Sequence, residues 1–243
     1  MGYAISVIVP TYNDSTVIGT TIEKLVDFLN RENINGEIII VNDGGGEETV
    51  RAIKEKIEKY PAIKLIARKV NKGKGYTVRE GLEQAQGDFI FYTDADLPYL
   101  TEPIKTIFEM LKRGEADLVL ANRDFASDGD NKKPAWPRLI THRIYSFFVR
   151  LLLPLEFSDT LAGLKGMNKK LLSTIISKLT IDKWSFDVEI LLVAKKVGFK
   201  IKEMPVSLEN VGKTNLNIKR DAPQMIKEVL QVWKKNRQGH YDF

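Results

Sequence analysis

The chain contains no cysteine and only two histidines, His142 and His240. That excludes a disulfide framework, a thiolate metal centre and a cysteine nucleophile, and it leaves too few imidazoles for a histidine-rich metal site. The sequence also lacks a run of the roughly 20 uncharged apolar residues that cross a bilayer. Its best candidate, residues 144–157, is interrupted by Arg150, Pro154 and Glu156. The opening segment MGYAISVIVP has no basic region ahead of its apolar stretch and does not read as a secretory signal. Internal repeats, low-complexity tracts and linkers are missing as well. What remains is an ordinary globular composition, 243 residues with 43% hydrophobic and 28% charged, enough to bury a sizeable core. The net charge of +5 is mild and points to small anionic partners or membrane headgroups, with no nucleic acid expected. Residues 200–243 carry nine Lys and Arg against five Asp and Glu, so +4 of the +5 sits there.

Apolar periodicity gives strands alternating with helices over the first 120 residues or so. Short buried runs at 5–9, 37–41, 63–67, 88–93 and 117–121 read as strands. Between them, 49–57, 75–86 and 103–113 read as helices. Ile18, Ile22, Leu25 and Leu29 mark the face of another helix, with Asp14, Ser15 and Thr16 supplying capping residues. This pattern implies an α/β fold, a mostly parallel sheet with helices on both faces. Such sheets bind ligands beyond the carboxyl ends of their strands. Tyr12, Asn13, Asp14, Asp43, Asp94 and Asp96 fall there. The second half is less regular. A polar loop is expected over 125–138, then a helix, helices again at 170–179, 186–197 and 222–235, and a strand at 201–206. One domain, 1–243, with a ligand-binding half (1–124) and a second half (125–243), is the simplest organisation.

Asp94 and Asp96 form a DxD triplet after the apolar strand DFIFYT. Two carboxylates at i and i+2 can converge where a strand stops, and they suit a hard divalent cation shared with phosphates; a polar turn is the alternative. Gly44-Gly45-Gly46 does not make the GxGxxG dinucleotide fingerprint. The segment 71–75 lacks the upstream glycine of a P-loop, but it can place Lys74 and backbone N–H groups near an anion, or be an ordinary turn. On the helix over 140–153, His142, Arg143, Ser146 and Arg150 share one stripe, either a solvated face or an anion-binding one. Phe147, Phe148, Leu151 and Leu152 then face core or lipid. Asp159, Asp187 and Glu189 are acid–base candidates, with helix capping as the alternative role for Asp187.

In this order and spacing, the fragments SVIVPTYND (6–14), VNDGGGEET (41–49) and NKGKGYTVREGLEQAQGDFIFYTDADL (71–97) resemble the family 2 glycosyltransferases of GT-A fold. The segments LANRDF, HRIYSFFVRLLL, FSDTLAGLKGMNK and KWSFDVEILLVAKKVGFKIKEMPVSLE narrow the resemblance to the polyprenyl-phosphate hexose synthases, which include the dolichyl-phosphate glucose and mannose enzymes. The WSFDVE stretch is more similar to the glucose branch. The resemblance covers nearly the whole chain and implies roles for particular residues. Pro10, Tyr12, Asn13, Asp14 and Asp43 hold base and ribose, with Lys74 near that pocket. Asp94 and Asp96 bind Mg²⁺ or Mn²⁺ and the diphosphate. Arg123, Arg143 and Ser146 approach the transferring phosphates, Asp159 and Lys165 line the reaction centre, and Lys213 and Thr214 close over the acceptor phosphate. Three positions depart from the pattern: Asn42 for the first Asp of the acidic turn, Pro98 where mannose synthases often carry Gln, and His142 where Arg is usual.

The resemblance implies transfer of a hexose, from UDP-glucose in the first instance and GDP-mannose in the second, to a polyprenyl or dolichyl phosphate. An anionic phosphate acceptor needs no strong general base, and direct displacement inverts the anomeric centre. A hydroxyl acceptor, in contrast, needs a positioned carboxylate, for which Asp187 or Glu189 are the candidates. A scaffold that only binds nucleotide sugars is the third reading. A lipid acceptor further implies a peripheral position at the cytoplasmic face of a membrane, with the basic C-terminal region as a candidate contact.

Overall fold

The computed structural model describes residues 2–99, 101–123, 136–207 and 218–243, with the side chains of 136–143 and 218–220 left aside. Among the described residues seven strands form one sheet in the order β3-β2-β1-β4-β6-β5-β7. They are β1 (Ile5–Thr11), β2 (Gly36–Asp43), β3 (Ile63–Arg68), β4 (Phe89–Tyr92), β5 (Leu118–Asn122), β6 (Lys165–Asn168) and β7 (Ile201–Pro205). The helices are α1 (Ile18–Arg31), α2 (Glu47–Ile57), α3 (Lys74–Gln84), α4 (Glu102–Lys112), α5 (Trp136–Leu152), α6 (Lys169–Ile175), α7 (Phe186–Val197) and α8 (Ile218–Arg237).

β1 and β2 are buried along their whole length, as apolar strands covered by helices on both faces must be. One cluster, on Ile22, Leu25, Ile40, Ile53 and Ile104, lies on one side of the sheet. The other, on Val78, Tyr145, Val149, Leu191, Val229 and Val232, lies on the opposite side. The second cluster ties α5 and α8 to the sheet through the inward faces of both helices.

The mostly parallel α/β sheet expected from the sequence is present, with one addition. β6 was not anticipated. It runs antiparallel between β4 and β5, pairing Tyr92 with Lys165 and Leu120 with Lys165. Four residues with glycine at the second position give too little period-two signal to read as a strand. This insertion carries Lys165 from the second half directly beside the end of β4.

Three local expectations are corrected. α1 begins at Ile18, after Val17, without a side-chain cap. Asp14 instead turns its carboxylate back to the Tyr12 N–H (2.8 Å) and the Thr11 hydroxyl (3.0 Å). α5 begins at Trp136, inside the segment read as loop; residues 124–135 lie outside the described residues. Finally, the stripe of α5 that held Ser146 is not solvated throughout. Ser146 points inward with Tyr145, Val149 and Leu153, Arg150 is exposed beside Ile144, Phe147 and Leu151, and the side chains of His142 and Arg143 lie outside the described residues. A helix with apolar residues on two faces gives no unique inward direction from periodicity alone.

Candidate active site

The carboxyl ends of β1, β2 and β4 meet the loop before α3. Asn13 sits at a left-handed φ of 58°, which asparagine tolerates, and its Oδ1 accepts the Gly46 N–H at 2.9 Å. A Cβ at Gly45 would stand 2.7 Å from the Asn13 nitrogen, so glycine is what lets the first two loops touch. Asp43, at the end of β2, ties in the third loop: its carboxylate accepts the N–H groups of Lys72 (2.7 Å) and Gly73 (2.8 Å) and the Arg68 guanidinium (2.5 Å). Arg68, in turn, pairs with Glu80 and donates to Thr77 at 2.7 Å. Pro10 is buried in β1, whereas Tyr12 presents its ring to solvent at the mouth of this cradle.

Beyond β4 lie the two aspartates of the DxD triplet. Asp94 Oδ1 accepts Lys74 Nζ at 2.5 Å. Burial pushes the Asp94 carboxyl up, but the charges of Lys74, Arg123 and Lys165 outweigh it and hold the group below the usual carboxylate range. Lys74 is held above the usual lysine range, because Asp94 and Asp187 outweigh its own burial. Asp96 behaves oppositely: burial, then the neighbouring charge of Asp94, raise it to about 6. Gly163 lies flush on Asp94, and a Cβ there would run into Asp94 Oδ2. The AGLK loop is therefore packed directly against the carboxylate pair.

From the second half come two further charge pairs. Arg123, at the end of β5, grips Asp159 through two bonds, Nε to Oδ2 at 2.6 Å and Nη2 to Oδ1 at 2.8 Å. The loop holding Asp159 is fixed by Glu203 of β7, whose carboxylate accepts Ser158 N–H at 2.8 Å and the Ser158 hydroxyl at 2.9 Å. Lys165 is fully buried at 0% exposure, and its ammonium is satisfied by Asp187 Oδ1 at 2.6 Å and the Ala162 carbonyl at 2.7 Å. Burial lowers its pKa against the pull of Asp187. Tyr92 of β4 donates to the same Asp187 oxygen at 2.6 Å.

Asp187 thus does not cap α7; it is the counter-ion of Lys165. Glu189 is equally engaged. Its two oxygens accept the N–H groups of Thr180 and Ile181 (2.8 Å each), the Thr180 hydroxyl (2.6 Å) and the Tyr241 hydroxyl (2.7 Å). Ser146 is buried on α5, and its hydroxyl has no hydrogen-bond partner; the same holds for Thr93 and Thr160, the immediate neighbours of Asp94 and Asp159. Arg143 lies on α5 with its side chain outside the described residues, and Lys213 and Thr214 lie outside them altogether.

The sequence reading did not pick out Arg68, Tyr92 or Gly163. Arg68 could have been found, since a cation at the carboxyl end of β3 sits beside the same ligand edge as Asp43. Nothing local marks Tyr92, whose partner is 95 positions away. Among the described residues no group of three or more His, Cys, Asp and Glu side chains forms a ready-made metal cage. The donor set instead is two carboxylates, with Asp96 bonded to no described cation. This fits a hard cation that takes its other oxygens from phosphates and water.

Residues 6–176 match the family model for glycosyl transferase family 2, which is well over half of the chain. The chain belongs to that family, and it is a glycosyltransferase of GT-A fold. Among curated relatives, a dolichyl-phosphate beta-glucosyltransferase of Dictyostelium discoideum is 29% identical over 94% of this chain and 73% of its own length. The glycosyltransferase AglD of Haloferax volcanii is 27% identical over 96% of this chain, which spans 37% of that protein. Among solved structures, glucosyl-3-phosphoglycerate synthase from Mycobacterium tuberculosis with Mn²⁺, UDP and phosphoglyceric acid superposes with a TM-score of 0.67. It is 18% identical, covering 98% of this chain and 79% of that one, a likeness of fold alone.

Proposed function

We propose that the protein moves a glucose residue from a nucleotide sugar, UDP-glucose before GDP-mannose, to a polyprenyl phosphate, with inversion at the anomeric carbon. The observation that carries this reading is the engagement of the acidic side chains of the second half. A hydroxyl acceptor needs a carboxylate free to take its proton. Asp187 is held by Lys165 and Tyr92, Glu189 accepts four hydrogen bonds, and Asp159 is gripped by Arg123. A phosphate monoester arrives already anionic and makes no such demand. The kinship to a dolichyl-phosphate beta-glucosyltransferase supports the same acceptor class and the choice of glucose.

In this reading Tyr12, Asn13, Asp14 and Asp43 shape the nucleoside end of the donor site. Asp94 and Asp96 hold Mg²⁺ or Mn²⁺, which supplies Lewis-acid neutralisation of the departing diphosphate. The Arg123 guanidinium, kept in place by its bidentate pair with Asp159, offers fixed positive charge to phosphate, and preorganised donors of that kind are effective because they need no reorganisation. Lys165 holds the floor of the site through Asp187. Ser146, whose buried hydroxyl has no partner among the described residues, and Arg143 are assigned to the acceptor phosphate in this reading.

The acceptor sits in a bilayer, so a face of the protein must reach one. Among the described residues no helix is long and apolar enough to cross a membrane. α5, however, exposes Ile144 (49%), Phe147 (59%) and Leu151 (64%) as one stripe, beside α8 with Lys227, Leu230, Lys234 and Arg237 on its outer side. Exposed apolar residues rimmed by cations fit a peripheral membrane contact. The test is a panel of UDP-glucose, GDP-mannose and other donors with a short-chain polyprenyl phosphate and Mg²⁺ or Mn²⁺, read by product mass. A glucosylated lipid phosphate from UDP-glucose is expected; donor turnover with no lipid product refutes the acceptor assignment.

A further inference from the structure

We infer that Lys74 is a resident counter-cation of the metal-binding aspartates, which makes divalent-metal binding depend on the nucleotide diphosphate. The inference rests on the proposed metal role of Asp94 and Asp96. Lys74 opens α3, and its backbone neighbours are fixed from two sides. Gly73 N–H is bonded to Asp43, while the N–H groups of Gly75 and Tyr76 are bonded to the carbonyls of Lys183 and Asp182. The side chain leaves this fixed base and places its ammonium 2.5 Å from Asp94 Oδ1. The other carboxylate oxygen of Asp94 lies beneath Gly163, where not even a Cβ fits. One oxygen of the first aspartate is thus occupied by a cation and the other lies on the side of Gly163, with 34% of the side chain left exposed.

Charge matching leads to the same conclusion. Around the site, Asp94 is paired with Lys74, Asp159 with Arg123 and Asp187 with Lys165. Asp96 is bonded to no described cation, and neither is Asp14, whose charge also acts on it. A divalent ion therefore meets few unmatched negative charges in the ligand-free protein, those of Asp96 and, more weakly, Asp14. A nucleoside diphosphate brings two or more, and it gives Lys74 a second anion to pair with. As the ammonium turns from Asp94 to the diphosphate, the carboxylate is released at the moment the ion needs it. Metal and nucleotide then assist each other's binding, and by linkage the assistance is equal in both directions. Lys74 is a positioning residue here: it acts on the metal through Asp94.

The experiment is Mn²⁺ binding followed by electron paramagnetic resonance on the full chain, with and without UDP or GDP, for the wild type, Lys74→Met, Lys74→Arg and Asp94→Asn. Without nucleotide, Lys74→Met is expected to bind Mn²⁺ at least about tenfold more tightly than the wild type, a factor within the usual range of site–site coupling. The enhancement by nucleotide shrinks in the same variant, Lys74→Arg restores the wild-type pattern, and Asp94→Asn binds weakly throughout. Thermal melting checks that each variant is folded. Equal or weaker binding by folded Lys74→Met in the absence of nucleotide overturns the inference. Because the readout is binding, it stands apart from the acceptor: failure of lipid glucosylation with the Lys74 effect intact rejects only the proposed function. Wild-type-like Mn²⁺ binding by Asp94→Asn rejects the metal assignment beneath both.

Discussion

The two sides of the site are built in different ways. On the donor side, the loops after β1 and β2 and the loop before α3 meet backbone to side chain. Asp43 and Asn13 accept amide N–H groups, and glycines permit the close approach. On the side proposed for the acceptor, the fixtures are two charge pairs, Arg123 with Asp159 and Lys165 with Asp187, and the hydrogen bonds that Glu189 accepts from residues 180 and 181 and from the Tyr241 hydroxyl. The donor side is held largely by amide N–H groups, with the Asp43–Arg68 and Asp94–Lys74 pairs beside them, and tolerates solvent at Tyr12. The acceptor side depends on buried ions, where removing one partner strands the other. The comparison teaches that carboxylates on the two sides do different work. Asp94 and Asp96 are partly exposed, as the proposed metal role requires, whereas Asp187 and Glu189 are buried and engaged by hydrogen bonds, which favours a structural part for them in the proposed function.

The sharpest way to break that contrast is to neutralise one carboxylate on each side. Asp96→Asn is expected to reduce transfer by about 10³-fold or more, the scale on which a site loses charge stabilisation of a leaving group; near-normal turnover would remove the metal role. The next largest effect is expected where the two sides touch. Gly163→Ala drives a methyl into Asp94 and should cost about 10²-fold in kcat with the fold retained, as for a misplaced catalytic group. A circular-dichroism melt beside the steady-state assay separates displacement from unfolding. Glu189→Gln should act on stability instead. Turning an NH₂ group toward two of the four donors is expected to lower stability by about 2 kcal/mol in a urea titration, with kcat per folded molecule within about twofold of the wild type. A selective loss of kcat would restore Glu189 as a base.

The smallest expected effect concerns pH. The folded-state pKa of Asp96 is raised to about 6 from 3.8, so the native state holds more protons than the unfolded chain between about pH 4 and 6. Stability then falls as pH rises through that window, and the penalty is complete above it. Metal-free Asp96→Asn should be more stable than the wild type by about 1 kcal/mol at pH 7.5, after allowance for solvent screening, with the gain gone below about pH 4. A gain unchanged at pH 3.5 would point to packing rather than ionisation.

Much of the donor side was legible because its signals are local. Apolar runs fix β1, β2 and β4, and the polar residues at their carboxyl ends fall where such sheets bind ligands. The acceptor side was less legible for equally physical reasons. β6 is four residues long with a glycine, and it is placed by pairing with β4 and β5 rather than by its own pattern. α5 carries apolar residues on two faces, so periodicity left open whether the Ser146 stripe is solvated, and only the fold shows Ser146 buried. Asp187, the partner of Lys165, and Tyr241, one partner of Glu189, lie 22 and 52 positions away, beyond any local motif.

The central claim is that the acceptor is a phosphate that needs no base from the protein. It is tested most directly by offering the enzyme, with UDP-glucose and Mn²⁺, a short-chain polyprenyl phosphate, the matching polyprenol and 3-phosphoglycerate, and following product formation for each. The account predicts glucosylation of the polyprenyl phosphate with no product at the hydroxyl of polyprenol or of 3-phosphoglycerate. Comparable or faster transfer to either hydroxyl would contradict it.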